Sequence, residues 1–206
     1  MQATDPSRRN FQTSQTYKLD SLSVGNLRLT DVTVISRELK NSPRPLKVDG
    51  ILGLNAFADY LVTLDFKAKK LRFENGELPK SDGADVLDYK NDAGIAVAML
   101  TVGEKKINAH LDTGNGIGAF VFPTTFAEKL TFAGEPRVVG RARSATGDME
   151  IKQVQVKDVI KLGRHEFPDA TIVYPALGDI ANVGLKTLGQ FIITFDQKNE
   201  RVRLSR

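Results

Sequence analysis

The chain has no cysteine, so disulfides and thiol chemistry are excluded. It has no run of about eighteen apolar residues, the length a helix needs to cross a bilayer. Its first residues, Met1-Gln2-Ala3-Thr4-Asp5-Pro6, lack the apolar stretch of a secretory signal. It has no block of like charge. The net charge of +4 is spread along the chain, and the densest basic cluster, Lys67-Ala68-Lys69-Lys70, reads as an exposed strand end. That spread argues against nucleic acid as a partner. Only two histidines occur, His110 and His165, far apart in sequence, so no metal site is expected. What remains is 206 residues, 41% of them hydrophobic, enough for one large domain or two small ones.

The most informative stretch is 108–116, Asn-Ala-His-Leu-Asp-Thr-Gly-Asn-Gly. An apolar strand runs into the carboxylate of Asp112, and a hydroxyl residue and a glycine follow at once. A strand end is where a scaffold holds a reactive group rigidly. Thr113 adds a hydroxyl that can tie the loop down. Gly114 permits close backbone approach or a positive φ. The tripeptide alone is an ordinary turn sequence. Its context carries the weight.

That context is an internal repeat. Residues 53–73 align without a gap on residues 184–204. Gly53, Leu54, Thr63, Asp65, Lys67 and Arg72 recur as Gly184, Leu185, Thr194, Asp196, Lys198 and Arg203, an offset of 131. Both stretches read as glycine, short helical turn, apolar strand, Asp-x-Lys turn and second strand. Residues 25–34 match 163–172 at an offset of 138, the difference lying in the loop 37–47. The chain therefore reads as two copies of one β-rich unit, with a boundary in the polar stretch 76–84. The first, 1–80, is a partial N-terminal lobe. The second, 85–206, is complete and carries Asp112-Thr113-Gly114. The first copy's equivalent of that loop would fall upstream of Met1, so either the chain is a piece of a longer protein or it lacks the loop.

Taken in order, residues 1–16 read as poorly ordered or as a remnant hairpin arm. Residues 17–24 alternate apolar and polar, a half-buried strand. Gly25-Asn26 is a hairpin turn, and 27–36 the returning strand. After a loop at 37–47, residues 48–54 are expected to enter the core, with a short helix from about Asn55 and strands at 60–65 and 70–73. Further strands are expected at 95–102, 107–111, 153–162, 165–174, 191–196 and 202–204. Gly118 to Phe122 is apolar, and a short helix follows Pro123. Residues 138–151 form a hairpin with a small, flexible tip, Ser144-Ala145-Thr146-Gly147. Many short strands and few helices argue an all-β, barrel-like fold.

With these residues in place, the second copy resembles a retropepsin-like lobe of the pepsin-like aspartic proteases, of the bacterial two-lobed kind. Four features carry the resemblance in order: the apolar strand into Asp112-Thr113-Gly114, the hairpin at 141–151, the apolar-apolar-Gly element at Asn182-Val183-Gly184, and the helix-strand-turn-strand ending. The first copy supplies Ile51-Leu52-Gly53 and the same ending. The likeness covers nearly the whole chain.

The resemblance implies all-β closed-barrel lobes with short helices, and an aspartic endopeptidase activity without a cofactor. It implies catalytic roles for Asp112, Thr113 and Gly114. It implies substrate-binding roles for Asn115 and for the hairpin tip Ser144, Ala145, Thr146 and Gly147. Thr113 would bond across to its counterpart, and Val183-Gly184 would back the loop. The partner would be a peptide or protein substrate. The second aspartate would come from an upstream lobe or from a second subunit. A periplasmic or secreted setting is implied by analogy alone. Two departures stand out. Asn115 occupies a position where relatives carry Ala, Ser or Thr, although its amide offers a donor to the carboxylate as a hydroxyl does. The first signature is missing. The competing expectation is a catalytically inactive peptide-binding module, with Asp112 a relic. His110 shares a strand face with Asp112. Tyr174 and Arg143 are expected on the surface.

Overall fold

Alternating and β-branched sequence makes this chain mostly strand. The computed structural model describes residues 2–4, 11–13, 15–36, 49–144, 147–175 and 178–206. Contacts divide it into two units, Met1–Ala56 and Phe57–Arg206. In the first, β1 (Gln2–Thr4) pairs antiparallel with β2 (Phe11–Thr13). There β3 (Thr16–Val24) and β4 (Leu27–Ile35) form a hairpin. Its turn uses Gly25 at φ 57°, a left-handed backbone that a glycine adopts without strain. The loop expected at 37–47 lies outside the described residues. Residues 51 and 52 do not enter a core: Ile51 is 79% exposed and Leu52 46%.

A 3₁₀ turn, Leu54–Phe57, leads into the second unit. Its strands in order are β5 (Leu61–Asp65), β6 (Lys70–Glu74), β7 (Val86–Asp88), β8 (Lys90–Asp92), β9 (Ile95–Val102), β10 (Lys105–Leu111) and β11 (Phe120–Val121). Helix α1 (Thr124–Ala127) separates these from β12 (Arg137–Ser144) and β13 (Gly147–Gln155), the expected hairpin. The chain continues through β14 (Ile160–Leu162), β15 (His165–Phe167), β16 (Thr171–Tyr174) and β17 (Ala181–Val183). It closes with α2 (Leu185–Leu188), β18 (Ile192–Asp196) and β19 (Arg201–Ser205). The apolar stretch 153–162 is two strands rather than one. Val156 makes an isolated bridge to Phe132 and donates its N–H to Ala170 O at 3.0 Å, and Asp158 accepts the Thr131 N–H at 2.9 Å. Residues 165–174 likewise break, at Asp169, where φ is 52°.

Two sheets build this unit. The larger runs β12-β13-β16-β11-β17-β10-β9-β14-β15, with β8 also on β9. Its core includes Leu100, Val102, Phe120, Phe122, Ile160, Leu162, Ile172 and Val183, all at most 2% exposed. Each such side chain contributes roughly 1.5–3 kcal/mol by leaving water. The smaller sheet runs β6-β5-β18-β19-β7. Here β5 and β6 join β18 and β19, and all four lie in the unit Phe57–Arg206.

The register of that second sheet has a two-fold character. Thr63 lies opposite Thr194, the residue it aligns with at the offset of 131. Their buried hydroxyls bond at 2.9 Å. Leu61 faces Asp196 while Asp65 faces Ile192, so the pairing reads the same from either strand. Backbone angles also repeat at aligned positions. Gly25 and Gly163 have φ of 57° and 59°, Asp31 and Asp169 of 54° and 52°, and Lys69 and Glu200 of 54° and 50°.

Candidate active site

Three strands and one glycine position Asp112. The chain arrives on β10, turns through residues 112–119, and leaves on β11. Between those two strands lies β17, parallel to β10 and antiparallel to β11, with His110 opposite Asn182 and Phe120 opposite Val183. The loop therefore straddles a strand made some 70 residues later. The Asp112 N–H donates to the Val183 carbonyl at 3.0 Å, which extends the ladder by one residue. Gly184 then passes directly beneath the loop. Its N–H donates to Ala119 O at 2.9 Å, and the Leu185 N–H to Asn115 O at 2.9 Å. A Cβ on Gly184 would collide with the Gly118 carbonyl oxygen and lie 2.8 Å from that of Asn115. Glycine is required here by close approach, and the chain has it.

The half-buried carboxylate of Asp112 is held at both oxygens. Oδ1 accepts the Gly114 N–H at 3.0 Å, and Oδ2 accepts from Asn182 Nδ2 at 2.9 Å. Gly114 serves by closeness rather than by a positive φ: a Cβ there would sit 3.2 Å from Oδ1. Asn115 does not reach the carboxylate itself. Its Nδ2 donates to Asn182 Oδ1 at 2.6 Å, and its Oδ1 accepts the Ile117 N–H at 2.9 Å. Two carboxamides thus run in series, each donating through nitrogen and accepting through oxygen, and they end on Asp112. Thr113 is half-buried in the same loop. Ile117, beside it, is exposed.

Asn182 is the residue that sequence reasoning missed. The apolar-apolar-Gly pattern treats its slot as packing, yet a polar residue stands there. On β17 it is the half-buried residue between two buried ones, Ala181 and Val183. A polar residue inside an apolar pattern was the available signal. His110 shares the polar side of this sheet, where its Nε2 donates to Asp92 Oδ2 at 3.1 Å. His165 lies elsewhere, against the Phe191 ring at 4.7 Å, and burial lowers its pKa.

Of the proposed substrate contacts, Ser144 and Gly147 face each other at the ends of β12 and β13. Ala145 and Thr146 lie outside the described residues. Tyr174 is buried rather than on the surface, its ring 6.1 Å from that of Phe132. Burial first, then Glu128, pushes its phenol above the ordinary value. An open cavity of about 490 Å³, lined in part by Phe120, Phe167, Lys186, Gln190 and Arg206, does not include Asp112. Among the described residues no helix is long and apolar enough to cross a membrane.

No family model matches the chain, and no curated protein matches it. Solved structures do. One is a retropepsin-like aspartic protease from Rickettsia conorii, 16% identical, with a TM-score of 0.40 over 58% of this chain and 87% of that one. Another is EIAV protease complexed with the inhibitor HBY-793, 17% identical, with a TM-score of 0.36 over 49% of this chain and 91% of that one. At such scores the likeness adds no weight to the strand pairing and loop geometry given above. Among solved structures, the mostly β fold of this chain is similar to that of retropepsin-like aspartic proteases.

Proposed function

We propose that this chain carries one half of an aspartic endopeptidase site, with Asp112 as one of two catalytic carboxylates. The observation that carries the reading is the fixed carboxylate: Asp112 leaves a strand end with both oxygens held, on a loop braced by Gly184. Peptide hydrolysis needs an activated water and an acid for the leaving amine. Two facing aspartates provide both, because side by side they share one proton and titrate as a pair. The ionised member takes a proton from water as it attacks the scissile carbonyl, and the protonated member polarises that carbonyl. Thr113 and Gly114 shape the loop, and Asn115 and the β12–β13 hairpin line the path of an extended peptide.

The second carboxylate comes either from a second copy of the chain or from another lobe of the same polypeptide. The aligned φ values and the two-fold register of β5 on β18 support a protein built from two copies of one β-rich unit, 1–80 and 85–206. The competing reading is a catalytically inactive peptide-binding module, with Asp112 a relic.

Peptide cleavage at acidic and neutral pH separates these readings, with Asp112→Asn as control and pepstatin in parallel. Activity that rises steeply with protein concentration and vanishes in the variant identifies a homodimeric site. Activity only in a form extended upstream identifies a second lobe. Silence in both forms, with folding intact and peptide still bound, leaves the binding module.

A further inference from the structure

We propose that His110 selects the peptide, receiving beside the scissile bond a side chain that ends in a hydrogen-bond donor. The inference rests on the endopeptidase reading above and adds a substrate class to it. One row of the larger sheet points to it. Val97 pairs with His110, His110 with Asn182, and Asn182 with Val121, so β9, β10, β17 and β11 each give one residue to a line across the sheet. Residues paired in register share a face. Asp112 follows His110 by two, and its N–H continues the ladder to Val183. Its carboxylate therefore rises from that same face, one step further along, where Asn182 reaches it.

The row is closed at its sides and open at its centre. Val97 and Val121 are 8% and 7% exposed. Between them Asn182 is half-buried, and the His110 side chain keeps 23% of its surface in water. The opening beside Asp112 is thus polar, where an apolar side chain would find no apolar floor. Its two polar groups differ in what they have left. The Asn182 amide is committed at both ends, to Asp112 through nitrogen and to Asn115 through oxygen. His110 is committed at one end. Its Nε2 donates to Asp92 Oδ2 at 3.1 Å, and among the described residues the ring makes no other hydrogen bond. In the neutral ring Nδ1 is then an acceptor. A glutamine amide or another donor head satisfies it. A leucine laid over the imidazole leaves Nδ1 cut off from water and unmatched. An ionised glutamate brings no proton and adds a third carboxylate beside Asp92 and Asp112. A site built to bond a polar group discriminates against its isostere more strongly than an apolar pocket does.

The test uses peptides identical except for a central glutamine, glutamate or leucine, at slightly alkaline pH, where the imidazole is neutral. Each is titrated into isotope-labelled protein, and cleavage is followed in parallel with Asp112→Asn as control. The expected result is a shift of the His110 ring nitrogens by the glutamine peptide and binding about tenfold tighter than that of the other two. His110→Leu, which leaves both bonds to the Asp112 carboxylate in place, should reverse the order of the glutamine and leucine peptides. If that variant fails to fold, the peptide comparison on the unaltered protein still decides. Binding with the glutamine preference but without cleavage would sustain the role of His110 and sink the endopeptidase reading. Cleavage beside leucine with His110 unshifted would do the reverse. Absence of binding by all three peptides, equal binding of the glutamine and leucine peptides, or an unchanged order in His110→Leu would each overturn the proposal.

Discussion

Residues 51–53 and 182–184 align in sequence, and the more apolar of the two is the one in water. Ile51 and Leu52 are exposed, whereas Val183 is fully buried and Asn182 half-buried. Hydrophobicity did not decide burial. Neighbours did: β17 has β10 on one side and β11 on the other, with the Asp112 loop above Gly184. No strand pairs with residues 51–53 among the described residues. An apolar pattern is a request for partners, and it is answered only where non-local strands arrive.

The comparison breaks most sharply at the two glycines. Gly184→Ala drives a Cβ into two carbonyl oxygens of the loop, neither of which can move without disturbing the strands around it. We expect a loss of roughly 3 kcal/mol or more in denaturant unfolding. Gly53→Ala meets only the side-chain amide of Asn55, which can swing aside. Its effect should stay within about 0.5 kcal/mol. Equal effects at the two sites would show that the loop is not braced as described.

A smaller effect is expected from making the second segment resemble the first. Asn182→Leu removes the donor to Asp112 Oδ2 and leaves the Asn115 amide unpaired, at about 1–3 kcal/mol of stability. In an active form of the protein, kcat should fall roughly tenfold to a hundredfold with KM little changed, because the carboxylate loses its orientation while the peptide path is untouched. A change confined to KM would assign Asn182 to substrate binding instead.

The smallest effect belongs to the region beside β7. Tyr89 packs against Phe195 with ring centroids 6.3 Å apart, and burial, aided by Glu200 and Asp196, pushes its phenol up to about 12. The neutral form is favoured by folding. Its contribution is therefore complete below pH 10, where the unfolded phenol titrates, and is lost as pH rises from 10 to about 12. Tyr89→Phe should flatten that part of the stability profile, read by thermal unfolding at stepped alkaline pH.

Much of this was legible in the sequence. Asp112 at a strand end, the turn at Gly25 and the hairpin after Val138 follow from local pattern and glycine chemistry, while the bracing role of Val183-Gly184 comes from the family resemblance. Three things did not follow. Asn182 stood in a slot read as apolar, and its use is set by a parallel neighbour that only the folded chain supplies. The stretch 153–162 keeps an apolar alternation through a break at 156–159, because Val154, Val156, Ile160 and Leu162 are all buried whether or not the strand is continuous. The pairing of β5 with β18 joins segments 131 residues apart, and no local signal encodes it.

The threading of β17 between β10 and β11 also sets the order in which the molecule is made. Asp112 and Asn182 are 70 residues apart, and synthesis proceeds from the N-terminus. A ribosome that has released Asp112 has not yet made the strand that fixes it. Until residues 182–184 emerge, the loop has no floor, no donor to Oδ2 and no partner for the Asp112 N–H. The carboxylate becomes fixed only once residues 182–184 have emerged, so a nascent product, or one ended before them, is born with the Asp112 loop unbraced.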